Sequence, residues 1–179
     1  MNVIDRIKNN KLPVFIDGQA GLSRHLTHQG QDVVVLDPAD ADYPVGINLL
    51  QANSEIEKIV LSSDLVGVFR RMATSWGDQM STVLANAINA FLESSKGGTI
   101  LELKRFLVEK EFRAEFLKTV DDEEVVYFWE QEFPLLKGNT IASLLTRLNT
   151  FLRPKPIRNM MGQAEGLDFR QLMDDGKVI

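Results

Sequence analysis

The sequence predicts an α/β protein that is mostly helical, a partial parallel β-sheet (a βαβ edge) carrying a large all-α insertion. Three observations predict it. Two short β-branched runs, "VFID" (residues 14–17) and "DVVVLD" (32–37), are spaced as in a compact βαβ unit. From residue 53 to about residue 152 the apolar period becomes helical and strands disappear. The tail, "DFRQLMDDGKVI", then returns to the opening style, one short helix and the start of a strand. These shifts divide the chain into residues 1–52 as a partial α/β core segment, 53–155 as an all-α insertion and 156–179 as the return to the core.

The elements follow in order. The unbroken apolar run at 33–36 fits a strand buried on both faces. Between the two strands, "LSRHLTHQ" forms two helical turns with Gly30 as the stop. Pro38 and Pro44 force extended or turn geometry on "DPADADYPVGINLL", an ordered loop leaving the sheet edge. Ser54 caps a helix that sets Ile56, Ile59, Val60 and Val68 near one stripe. In the next helix Trp76, Met80, Val83, Leu84, Ala87, Ile88, Phe91 and Leu92 repeat the pattern, and "SSKGG" ends it. Thr99 and Glu102 have capping-box spacing and open a helix through Leu107. Helical segments follow at 111–119 and 122–132, then one capped by Asn139 or Thr140, before "RPKP" (153–156) breaks the chain. Asp168 caps the last helix, Gly176 stops it, and "KVI" opens a strand.

Composition narrows the chemistry. The chain has 179 residues and no cysteine, which removes disulfides, thiolate catalysis and Cys-based metal sites. A net charge of −5 argues against a general nucleic-acid coat but leaves room for a local basic patch. No apolar run approaches the roughly 20 residues that span a bilayer, and the N-terminus is too polar for a signal peptide. Charge is uneven. Residues 109–132 hold nine acids against three bases, whereas 133–164 hold no acid and five bases. Such a split serves either a partner of opposite sign or a contact between neighbouring helices.

No Walker A loop occurs, because the only Gly-Lys pair, Gly176-Lys177, runs into Val178 and has no glycine five residues earlier. "DGQAG" is not a G-x-G-x-x-G turn either. Asp17 and Asp37 end their strands at the edge where α/β sheets bind ligands, but no His, Lys or Ser cluster lies nearby in sequence, which favours each acid capping its own turn. His25 and His28 share a helix face but lack a third metal ligand. Phe128, Trp129 and Phe133 lie at helical spacing and read as core before a base-stacking platform.

Several phrases occur in a telling order: "VFIDGQAGL", "DVVVLDPADADYPVGINLL", "SWGDQMSTVLANAINAFLES", "TILELKRFLVEKEFRAEFL", "VVYFWEQEF" and "LTRLNTFLRPKPIRNMMGQAEGLDFRQLMDDGKVI". Together they resemble P-loop ATPases of the HerA–FtsK superfamily, in particular type IV secretion coupling proteins and related conjugative ATPases. Asp37, Pro38, Asp40, Pro44, Gly46, Asn48 and Leu50 match the family's "LDPxDxxxPxGxNxL"-like segment, Trp76-Gly77 its "WG", Phe128-Trp129 its "FW", and Asp174, Gly176 and Lys177 its return strand. Asp17 and Gly18 stand where its "IDPHGD"-like turn begins, but no Pro or His follows, and the second acid is absent.

The resemblance implies a hexameric motor that hydrolyses ATP with Mg to move DNA. It places the Walker A loop before Met1 and the Walker B acid after Ile179. The expectation is an internal, non-catalytic part of such a motor, with no cofactor of its own and with ATP and Mg belonging to the full-length parent. Asp17 and Gly18 are then the candidates to stand behind a bound nucleotide. Arg147, Arg153, Lys155 and Arg158 are the candidates to touch DNA phosphates or a neighbouring subunit. The expected setting is cytoplasmic, at the inner face of the membrane through a complex. The alternative is a stand-alone helical interaction module, an adaptor or inhibitor of an intact ATPase.

Overall fold

The structure, a computed structural model, describes residues 44–136 and 138–175. This part is mostly helical. Among the described residues no strand occurs, and the one β-type pairing is an isolated antiparallel bridge between Ser94 and Val120. The strands expected at 14–17 and 32–37, the helix between them and the final "KVI" lie outside the described residues.

The described chain falls into two units. The larger is Asn48–Pro154. It begins with α1 (Glu55–Arg71), where the Ser54 side chain accepts from the Glu57 amide and acids occupy the first turn, bases the last. Both ends therefore complement the helix dipole. Next comes α2 (Asp78–Leu92), whose Met80, Val83, Leu84, Ala87, Ile88 and Phe91 form one buried face, as their spacing predicts. α2 is the hub, packing against α1, α3 (Ile100–Val108), α5 (Glu123–Tyr127) and α6 (Gly138–Leu152).

The link from α2 to α3 depends on two glycines. Gly97 has φ +63°, a left-handed conformation that side chains disfavour. At Gly98 a Cβ would come within 2.6 Å of the Phe91 ring, so the absence of a side chain lets the chain pass over α2. Thr99 and Glu102 then close the capping box, with Thr99 N donating to Glu102 Oε2 at 2.9 Å and Glu102 N to Thr99 Oγ1 at 3.4 Å.

After α4 (Lys110–Leu117), the segment expected as one helix over 122–132 divides. Asp122 caps α5, the chain widens into a π turn over Phe128–Glu132, and a 3-10 turn follows over Phe133–Leu135. Pro134 explains the change, because it lacks an amide donor and its ring crowds the carbonyl four residues earlier. The break brings rings together. Phe91 stacks on Phe116 (4.2 Å between centroids), Trp129 meets Phe106 edge-on at 4.7 Å, and Phe133 lies 4.5 Å from Trp129. The Trp129 indole donates to the Asn86 carbonyl. Phe128 and Trp129 are buried, which assigns them to the core.

The stripe expected from Ile56, Ile59, Val60 and Val68 does not face the core. Its residues are exposed, Ile56 by 74% and Ile59 by 71%, while α1 buries Ser62, Leu65 and Phe69 instead. The larger ring decides the orientation, since Phe69 packs edge-on against Phe151 of α6 at 5.5 Å. Nor do Asn139 and Thr140 cap α6, because the helix starts at Gly138 and both lie inside its first turn. The Thr140 hydroxyl bonds Gln79 Oε1 at 2.9 Å instead.

The second unit contains, among the described residues, 44–47 and 155–175. "RPKP" ends α6 and opens α7 (Lys155–Met161), with a last short helix, α8 (Phe169–Asp174), capped by Asp168. The Pro44–Ile47 stretch is clasped by the chain after α7. Ile47 N donates to Met160 O, Leu167 N to Gly46 O, and Gln163 Nε2 to Pro44 O. A Cβ on Gly46 would strike the Glu165 carbonyl, so only glycine fits there.

Candidate functional site

The structure gives the four basic candidates different situations. Arg147, on α6, is committed to its own unit, its guanidinium donating to the Ser75 carbonyl and hydroxyl at 3.3 Å each. It therefore braces the turn ahead of α2. Arg153 is exposed just past the end of α6, and Lys155 and Arg158 are exposed on α7. None of the last three forms an ion pair among the described residues. Arg153 belongs to one unit and the other two to the second. Asp17 and Gly18 lie outside the described residues.

Residues of the "PxGxNxL" segment carry structural duties. Gly46 is needed for the clasp. The Asn48 side chain donates to the Gly98 carbonyl at 3.2 Å and accepts from the Leu50 amide at 2.9 Å. Leu50 is buried. In this unit Asn48 thus ties the entry of the chain to the turn between α2 and α3, using its donor and its acceptor at once.

A groove of about 620 Å³ runs between α1 and α2. Its lining includes Ser62, Ser63, Ser81, Thr82, Asn89 and Lys58. Lys58 Nζ bridges Glu55 and Glu93, 2.8 Å from each. The hydrogen bonds that Lys58 donates, to Glu55 first and then to Glu93, hold its pKa above the ordinary value. A lysine so held stays protonated and cannot act as a general base for the nearby hydroxyls. Among the described residues no cluster of His, Asp or Glu is arranged to hold a metal ion.

Arg113 is the other notable cation. It donates to the Phe106 carbonyl at 2.8 Å and the Leu107 carbonyl at 3.4 Å, and lies 4.8 Å over the Phe133 ring. Burial pushes its pKa down, against a smaller opposing effect of Glu111. The guanidinium nevertheless stays charged, and it satisfies the carbonyls at the end of α3. Its role is structural.

Sequence reasoning did not find the Lys58 bridge or the outward apolar strip of α1. The acids at 55 and 57 and the apolar residues at 56, 59 and 60 were visible, but not which side faced in. No family model matches the chain, and neither does any curated protein or solved structure. No helix among the described residues is long and apolar enough to cross a membrane.

Proposed function

We propose that the chain is a non-catalytic portion of a DNA-translocating ATPase of the HerA–FtsK type, as in type IV secretion and conjugation, whose basic residues contact DNA. In this reading residues 14–17, 32–37 and the last residues of the chain contribute to a partial parallel sheet. ATP and Mg belong to the parent motor, and the chain has no ATPase activity of its own. The order of the matching phrases supports the reading. The observation that carries the DNA contact is that Arg153, Lys155 and Arg158 are exposed and free of carboxylates within an acid-free tract. Arg147, held by Ser75, is a weaker candidate.

Fluorescence anisotropy with a DNA duplex at several salt concentrations tests this. Three phosphate contacts give a log–log salt slope near −3, and each alanine at Arg153, Lys155 or Arg158 reduces its magnitude by about one. Binding that the triple alanine variant retains in full, or no binding at low salt, overturns the DNA contact.

A second reading, a helical protein-interaction module serving an intact ATPase as adaptor or inhibitor, is favoured by one observation. Asn48–Pro154 holds a closed aromatic core of its own. Co-sedimentation with an intact motor of this type, persisting when the three cations are alanine, selects it over the first.

A further inference from the structure

The groove between α1 and α2 holds polar side chains with nothing to bond. Ser62 lines it and is only 7% exposed. Hydroxyls elsewhere on the helices bond back to the carbonyl four residues earlier, as those of Thr82, Thr146 and Thr150 do. The Ser62 hydroxyl makes no such bond and has no other partner among the described residues. Asn89, partly buried in the same groove, is alike. The Asn86 amide donates to the Thr82 carbonyl, whereas the Asn89 carboxamide has no partner among the described residues. Lys58, near the start of α1, meets Glu93 at the end of α2. One turn along α1 from Lys58 stands Ser62, and one turn back along α2 from Glu93 stands Asn89. The two therefore stand across the groove from each other. Burying a hydroxyl without a partner costs free energy, so this one is available to whatever enters the groove.

The rest of the lining defines the ligand class. At one end three carboxylates, Glu55, Glu93 and Asp122, share one ammonium, that of Lys58. Lys58 takes one oxygen each of Glu55 and Glu93, and the Asp122 cap on α5 uses Oδ1 alone. The other oxygens remain for a second cation. Lys58 is the only base in the lining and is already held, so a phosphate or nucleotide finds no free positive charge there. No aromatic ring lines the groove, which removes a stacking surface for a base or a sugar. Beyond the acidic end the walls include Ile59, Val66 and Ala85, which are aliphatic.

From these features we propose that the groove binds a linear aliphatic oligoamine. One ammonium of the ligand donates to the free oxygens of Glu93 and Asp122. The next donates to Ser62 Oγ and Asn89 Oδ1, giving both side chains the partner they lack. The methylenes between and beyond lie along Ile59, Val66 and Ala85. One helical turn, about 5.4 Å, separates the acidic end from Ser62, which is the reach of a link of three or four methylenes. The groove volume of about 620 Å³ is that of a small-molecule site. A flexible ligand loses freedom on binding, so the affinity is modest, and its charge pairs make it fall with salt. All the lining residues belong to Asn48–Pro154. The site is independent of the DNA contact, which uses other residues.

Titration of the ¹⁵N-labelled full chain with spermidine at low salt, followed by nuclear magnetic resonance, tests the proposal. The side-chain amide signals of Asn89, assigned by their loss in Asn89→Leu, move saturably with spermidine and stay in place with hexane-1,6-diol or adenosine monophosphate. In calorimetry Ser62→Ala and Asn89→Leu each weaken spermidine binding by about tenfold, the scale of a hydrogen bond to a charged group. Asp122→Asn keeps a capping side chain on α5 but weakens binding and flattens its salt dependence. Ser62→Ala removes no bond within the chain, so it leaves urea-induced unfolding undiminished, which separates its effect on binding from a role in the fold. Far-ultraviolet circular dichroism confirms that each variant keeps its helices. Four results overturn the proposal: Asn89 signals that spermidine does not move, equal movement with the diol or the nucleotide, an affinity unchanged by Ser62→Ala and Asn89→Leu (a cation screening surface acids only), or binding of tri-lysine but not of spermidine, which would assign the groove to a partner protein's side chains.

Discussion

Two neighbouring helices, α1 and α2, use their apolar residues in opposite ways. In α2 the residues at helical spacing from Met80 to Phe91 turn inward, and Val83, Leu84, Ala87 and Ile88 are completely buried. In α1 the isoleucines turn outward, and the helix is held by Leu65, Phe69 and a buried serine. Apolar spacing marks a helix and a stripe; it does not say whether the stripe meets the core. Contacts with other elements decide that. Phe69 has a ring partner on α6, and Ile56 and Ile59 have none.

The contrast yields its largest effect in paired truncations. Leu84→Ala removes a completely buried side chain from the hub helix and costs about 3 kcal/mol in urea-induced unfolding. Ile59→Ala, with similar chemistry on the outward face, changes stability by less than about 0.5 kcal/mol. If the two variants lose comparable stability, the orientation of α1 described above is wrong.

The next effect concerns how the outer helices are fastened to the core that α2 organises. Arg113→Met keeps much of the contact with Phe133 but strips the charged donor from the Phe106 and Leu107 carbonyls. The loss is about 2 kcal/mol, the usual scale for hydrogen bonds made by charged groups. A smaller loss, within about 0.5 kcal/mol, would mean that water replaces the guanidinium at the end of α3.

Gly98→Ala sharpens the α2 side of the comparison. The new methyl group meets the Phe91 ring, a buried member of the hub, at 2.6 Å. The ring or the turn must move, at about 1.5 kcal/mol. The same substitution at Gly67 of α1 meets open space and favours the helix, so it leaves stability unchanged or raises it slightly.

What the sequence made legible is what is local. Ser54, the Thr99–Glu102 pair and Asp168 cap helices because capping needs only residues two or three positions apart. The buried face of α2 was legible because its stripe is apolar on one side only. The facing of α1 was not, since its apolar residues are spread around it and the ring that orients it comes from residue 151. The division of the 122–132 segment was missed because Pro134 acts backwards on the turn before it. For the candidate site, the acid-free basic tract could be read directly. That Arg147 is tied to Ser75 while Arg153, Lys155 and Arg158 are not required the fold, because the tie spans 72 positions.

The smallest effect lies where α1 and α2 meet at their charged edge. Lys58 of α1 bonds Glu93, the residue that ends α2, and Glu55 one turn earlier. Both partners of the Lys58–Glu93 pair are about one-fifth exposed, so the pair contributes at the modest scale of surface bridges, ~0.5 kcal/mol. Glu93→Gln removes the charge and keeps a hydrogen-bond acceptor. The pH dependence has a definite sign. Glu55 and Glu93 raise the Lys58 pKa in the folded chain, so between the unfolded and folded values the native state binds more protons. The contribution is fully present below the unfolded lysine value of about 10.4 and is lost as pH rises through the folded one. Urea titrations should therefore show a constant gap between wild type and Glu93→Gln through neutral pH, narrowing only under strongly alkaline conditions. A gap that already closes near pH 8 would mean that Lys58 is not held by both acids, and that α1 is fastened to α2 by Leu65 and Phe69 alone.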